Sequence, residues 1–146
     1  MRLEDQVVSL EFAKKLKELG VKQESHFKYC GGHTMYHDNE DGEFEECDNT
    51  DLLGEDEYCH TVELVCEFTI SAFTAAELGE ILPDSIIAER GGFNDVCNLV
   101  CTKIEGSWWI TYDSIAMGTF IELEKEKKEV DARAKMLIYL KENKLV

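Results

Sequence analysis

Between Lys28 and Arg90 the chain runs for sixty-one residues without a lysine or arginine, and it places seventeen aspartates and glutamates there. Carboxylates at that density repel one another in the folded state. The flanks hold the other fourteen acids against fifteen bases, close to neutral, although the whole chain carries −16. With 146 residues and 44% hydrophobic content, a single acidic α+β domain over 1–146 is expected. A field this lopsided repels nucleic acid and anionic membrane and attracts basic proteins or cations. The plainer alternative is a solvated acidic face that confers solubility.

Regular elements can be read on both sides of the most acidic stretch. Ser9 stands at an N-cap position, Leu10, Ala13, Leu16 and Leu19 recur at helical spacing, and Gly20 follows as a C′ glycine, which predicts a helix over 10–19. His26 to Cys30 reads as an exposed strand. Asp38 to Glu57 holds eleven acids, and before Tyr58 its only large apolar groups are Phe44, Leu52 and Leu53, so 38–57 is predicted as a long acidic loop or a hairpin after the first strand. Thr61 to Ser71 is rich in β-branched and aromatic residues, with Val62, Leu64, Cys66 and Phe68 on one face, and is predicted as a central strand. Thr74-Ala75-Ala76-Glu77 is a capping box that opens a short helix ended by Pro83. Val96 to Ile104 and Trp108 to Tyr112 flank Glu105-Gly106-Ser107, the signature of a β-hairpin. Thr119 to Leu123 adds a strand, and 130–143 is a helix with Val130, Ala134, Leu137, Ile138 and Lys141 on one stripe. The order is α-β-β-α-β-β-β-α: α+β, three helices packed on a mainly antiparallel sheet of about four to five strands.

Met1-Arg2-Leu3-Glu4-Asp5-Gln6 puts acids where a secretory signal needs positive charge, and charges interrupt even the most apolar run, 62–82. A cytoplasmic protein that neither spans nor binds membrane is expected. Its six cysteines (Cys30, Cys47, Cys59, Cys66, Cys97 and Cys101) are then expected as thiols or metal ligands. Cys97 and Cys101, four apart on one strand face, lie about 13 Å from each other and cannot pair. Core packing is expected for both, and for Cys66.

Three segments, Ser9 to Val21, Ala72 to Pro83 and Asp131 to Leu140, resemble a group of small uncharacterised proteins encoded by bacteriophages and prophages of gut bacteria. Both ends and the middle of the chain take part, in the same order. The matching segments are capped amphipathic helices, so the resemblance implies a shared scaffold; it implies no particular activity, and no functional residue carries over.

Two constellations have ligand chemistry. Cys30-x2-His33-x3-His37-x9-Cys47, followed by Cys59-His60, offers the thiolates and imidazoles that zinc needs for a tetrahedron, on a spacing that matches no standard finger. The plain reading is a strand-end cysteine and loop histidines, with no cofactor. His37-Asp38-Asn39-Glu40-Asp41-Gly42 places oxygen ligands before a glycine as a calcium loop does, but it lacks a glutamate at the twelfth position and flanking helices. Among catalytic signatures, GxSxG, Walker A and HExxH are missing from the sequence. Trp108 and Trp109 are neighbours on a strand, so one faces the core and the other faces outward. Without bases beside it the outward ring does not suit nucleic-acid stacking.

The function expected from these features is protein binding without catalysis, by a phage accessory protein. Alternate carboxylates on an extended chain recur about every 6.6 Å, comparable to the phosphates of a nucleic-acid strand; Asp41, Glu43 and Glu45 follow that rule. An acidic DNA-mimic surface of Asp38, Glu40, Asp41, Glu43, Glu45, Glu46, Asp48, Asp51, Glu55, Asp56 and Glu57 would then occupy the basic groove of a host nuclease or CRISPR effector, as an anti-defence inhibitor. The alternatives are a zinc-stabilised structural or regulatory phage protein using Cys30, His33, His37 and Cys47, and a small hydrolase with carboxylate catalysis. Nothing in the sequence bears on oligomeric state.

Overall fold

The structure, a computed structural model, describes residues 2–31, 33–36, 44–47, 51–53, 64–65 and 68–146, with the backbone alone at 33–36, 44–47, 51–53, 64–65, 68 and 90. A 3-10 turn, Leu3–Asp5, leads into helix α1, Leu10–Glu18. Gly20 takes φ +76, and the Val21 N–H reaches the Leu16 carbonyl while the Gly20 N–H reaches that of Lys17, both at 3.0 Å. This is a Schellman closure, and it ends the helix where the sequence predicts. Ser9 differs from expectation. Its hydroxyl makes no cap; instead its backbone N–H donates to Asp131 Oδ1 at 2.8 Å, tying the start of α1 to the last helix.

Short strands follow: β1 (Lys28–Gly31), β2 (His33–Tyr36), β3 (Phe44–Cys47), β4 (Asp51–Leu53), β5 (Leu64–Val65) and β6 (Phe68–Ser71). They form two three-stranded antiparallel sheets, β4-β1-β6 and β3-β2-β5. The stretch 38–57, predicted as a long acidic loop or a hairpin, therefore holds β3 and β4, because backbone pairing needs no apolar side chains. The single central strand predicted over 61–71 is a correction too: its described parts are β5 and β6, in different sheets.

Helix α2 (Ala75–Ile81) carries the predicted capping box in full and ends at Leu82, one residue before Pro83. Strands β7 (Ser85–Arg90), β8 (Phe93–Ile104), β9 (Ser107–Ser114) and β10 (Gly118–Glu122) then form an antiparallel sheet in the order β10-β9-β8-β7. The β8–β9 turn is the predicted one, with Glu105 at φ 52 and Gly106 at φ 80, both left-handed as a two-residue hairpin demands. β7 is an addition to the predicted order. The described residues thus hold ten strands where four to five were expected, within the same α+β, mainly antiparallel class.

Helix α3 (Glu129–Glu142) packs on β9, and both α1 and α2 pack on α3. Covered from several sides, it buries Val130, Ala132, Ala134, Met136, Leu137, Ile138 and Leu140, more than the single stripe read from sequence. Tyr112, Phe73, Leu16 and Leu78 complete a core to which each such side chain contributes about 1.5–3 kcal/mol. No described helix is long and apolar enough to cross a membrane.

Candidate partner-binding segment

The acidic segment begins at β1, and β1 is held at several points. The Tyr29 hydroxyl donates to the Val8 carbonyl at 2.6 Å. Burial, with Asp131 and Glu4 adding negative charge, pushes the Tyr29 phenol up to about 12, so it stays a donor. Just upstream, the turn at 25–27 is closed by one carboxylate. Glu77 accepts from the Thr74 N–H (2.6 Å), the Thr74 hydroxyl (2.8 Å), the His26 N–H (3.0 Å) and the Ser25 hydroxyl (3.1 Å). Burial works to raise the Glu77 carboxyl, but these hydrogen bonds prevail and hold it below 4.5. One side chain thus caps α2 and fixes the entry to β1.

Of the predicted partner-binding acids, Glu45 and Glu46 lie on β3, register-paired with Met35 and Thr34, and Asp51 lies on β4, opposite Cys30. Asp38, Glu40, Asp41, Glu43, Asp48, Glu55, Asp56 and Glu57 lie outside the described residues, as does the calcium-like stretch 37–42. Of the predicted zinc ligands, His33 and Cys47 are direct register partners across β2 and β3. His37 lies outside the described residues, and Cys30 sits on β1 in the other small sheet.

Cys30 is disulfide-bonded, which corrects the expectation of six thiols. A disulfide sulfur is no thiolate donor, so a zinc site through Cys30 requires its reduction first. Cys97 and Cys101 are thiols, as expected. Cys97 is buried, but Cys101 is exposed, not core: its thiol lies 3.9 Å from Glu129 Oε1, and partial burial pushes it up. Among the described residues no group of three or more metal-binding side chains converges.

Both tryptophans are half-buried. Trp108 packs against the core cluster, while Trp109 occupies the neighbouring strand position. Each carries a lysine the sequence did not place there, Lys103 over Trp108 and Lys125 over Trp109, both at 5.3 Å from the ring centre. Lys103 and Trp108 also line an open groove of about 700 Å³ with Lys127, Lys128 and the first residues of α2 and α3. Its polar groups are largely engaged within the fold. Lys128 donates to the Glu4 and Val7 carbonyls and pairs with Asp131 at 3.2 Å, and Glu129 holds Arg133 at 2.7 Å.

Comparison with protein-family models, with curated proteins and with solved structures finds no match.

Proposed function

We propose that this is a non-enzymatic phage accessory protein, working in the cytoplasm of an infected or lysogenic bacterium by binding a basic host protein such as a nucleic-acid-binding effector. The observation that carries the reading is the run from Tyr29 to Glu89, with seventeen acids and no lysine or arginine. The acidic strand β3, with Glu45 and Glu46, lies within that run and supports it, because carboxylates on an extended strand can stand in for phosphates and inhibit a host defence effector by occupying its groove. The test is a pull-down from host lysate at low and high salt, with Glu40, Asp41, Glu43, Glu45 and Glu46 changed together to Gln or Asn. The wild type captures a basic protein at low salt and releases it at high salt, while the variant folds and loses it through a slower on-rate. A folded variant that binds at full strength sinks the proposal.

A second reading, a zinc-stabilised structural or regulatory protein, is favoured by one observation, the facing of His33 and Cys47 across β2 and β3. Elemental analysis of protein purified under reducing conditions without chelators separates the two. Stoichiometric zinc supports the second reading, and its absence removes it.

A further inference from the structure

The outer edge of β7 has no strand beside it among the described residues. Its pairing with β8 dictates which backbone groups remain for a partner. The Leu99 N–H donates to the Asp84 carbonyl at 2.8 Å, and the register continues through Ile86↔Cys97 and Ala88↔Asp95. Even-numbered residues therefore bond inward, and the N–H and C=O of Ser85, Ile87 and Glu89 point away from the sheet. All three residues are exposed, Ile87 to 68%. Natural sheets blunt such edges with bulges, lysines or prolines. β7 has no bulge, lysine or proline over six residues in unbroken register, and its charged residues, Glu89 and Arg90, stand together at its end, whereas the opposite edge strand, β10, is irregular between Thr119 and Ile121.

We propose that β7 pairs antiparallel with β7 of a second copy, about a two-fold axis through Ile87. This register sets Ile87 against Ile87 and Ser85 against Glu89, so every outward-pointing residue meets another. A slip of two residues one way sets Glu89 against Pro83, which has no N–H. The opposite slip sets Ser85 against Gly91, already in the left-handed turn at φ 59. A slip of one residue points the wrong backbone groups together and inverts the faces. The chosen register also places Asp84 opposite Arg90 at both ends of the seam, opposite charges in each case. Val96, register partner of Ile87 and 55% exposed, extends the contact on the same face, so Val96 and Ile87 of the two copies form one apolar strip. The −16 charge of each copy opposes association, and salt screens that repulsion.

The test is sedimentation equilibrium of the full chain under reductant, at about 0.1 and about 0.5 M salt, where the screening length drops well below 10 Å. The expected mass is that of two chains, with tighter association at the higher salt. Ile87→Pro removes an N–H that the sheet does not use, and Ile87→Lys sets like charges face to face on the axis. Each is expected to weaken association at least tenfold with circular dichroism unchanged, and Ile87→Lys decides the matter if Ile87→Pro misfolds. Ile87→Cys should crosslink to itself on oxidation, because facing Cα atoms about 5.5 Å apart lie within disulfide reach. Ser85→Cys, whose two copies sit about 13 Å apart along the seam, should not. A chain that stays monomeric at every concentration and salt overturns the proposal, as does a dimer that both Ile87 variants leave intact, or equal crosslinking at 85 and 87.

Discussion

Glu77 gives the sharpest test of how the acidic segment is attached to the core. Replacing it with Ala removes four accepted hydrogen bonds at once. Loss of an N-cap partnership costs about 1 kcal/mol, and hydrogen bonds to a charged group are worth roughly 1.5–3 kcal/mol each when dry. The carboxylate is partly exposed, so water replaces some of what is lost, and about 2–3 kcal/mol is the expected total. At roughly 3–4 °C per kcal/mol for a domain of this size, the melting midpoint falls by about 6–12 °C. Glu77→Gln keeps one acceptor oxygen and the side-chain length, and should lose about half as much.

The pH dependence of the same pair separates charge from shape. Because the folded state holds the Glu77 carboxyl below its ordinary 4.5, its contribution is complete above that value and disappears as pH falls through the lower, folded one. Wild type and Glu77→Gln should therefore differ most in midpoint at neutral pH and converge towards pH 3, as followed by thermal melts from about pH 7 to about pH 3. A Glu77→Ala midpoint within about 2 °C of wild type, or a Gln variant whose deficit is the same at both ends of the range, refutes the assignment of Glu77 as the clamp.

Gly20, at φ +76 with open space around the missing Cβ, should cost about 1 kcal/mol when changed to Ala, from backbone strain alone, read as a lower denaturant midpoint at constant slope. Burial, with Asp84 nearby, pushes the Tyr112 phenol up to about 12 from 10.0 while its hydroxyl donates to the Pro83 carbonyl at 2.6 Å. Its contribution is therefore complete below pH 10 and is lost as pH rises towards 12, a loss that Tyr112→Phe should largely remove from an alkaline unfolding curve. Thiol titration in denaturant without reductant should count at most four of the six cysteines, since Cys30 and its partner are oxidised, and a count of six refutes the disulfide.

What is legible in the sequence is what local chemistry decides. The Gly20 closure, the Thr74–Glu77 box and the Glu105-Gly106 turn each sit in a few consecutive residues, and each forms as read. β7 escapes the reading although Ile86 and Ala88 alternate with Ile87 and Glu89, and Gly91-Gly92 is a hairpin signal. Pro83 before it and Gly91-Gly92 after it give so short a stretch the look of a connection. The burial of α3 on several sides is decided by α1, α2 and β9 together, which no helical period reveals. Residue type alone assigns Cys101 to the core; its register opposite Ile110 puts it on the helix-covered face, yet there it meets Glu129 rather than apolar side chains. For the candidate site, residue type singles out His33 and Cys47, while their facing one another depends on the pairing of β2 with β3.

Charge and stability are divided along this chain. The buried cluster is built mainly from residues 8–21 and 70–140, and its internal ion pairs, Lys128 with Asp131 and Arg133 with Glu129, lie on α3 and its approach. Within the acid-rich run, Glu77 is bound into the scaffold by its own hydrogen bonds, so it belongs with the structural charges. The acids of 38–57 instead belong to a stretch with few apolar groups, joined to the frame by main-chain pairing of β4 with β1. Main-chain pairing tolerates almost any side chain, so selection can change the charge pattern there without disturbing the core. A variant that redistributes the acids of 38–57 should keep the melting midpoint while changing what the protein binds, whereas one that touches Glu77 should do the reverse.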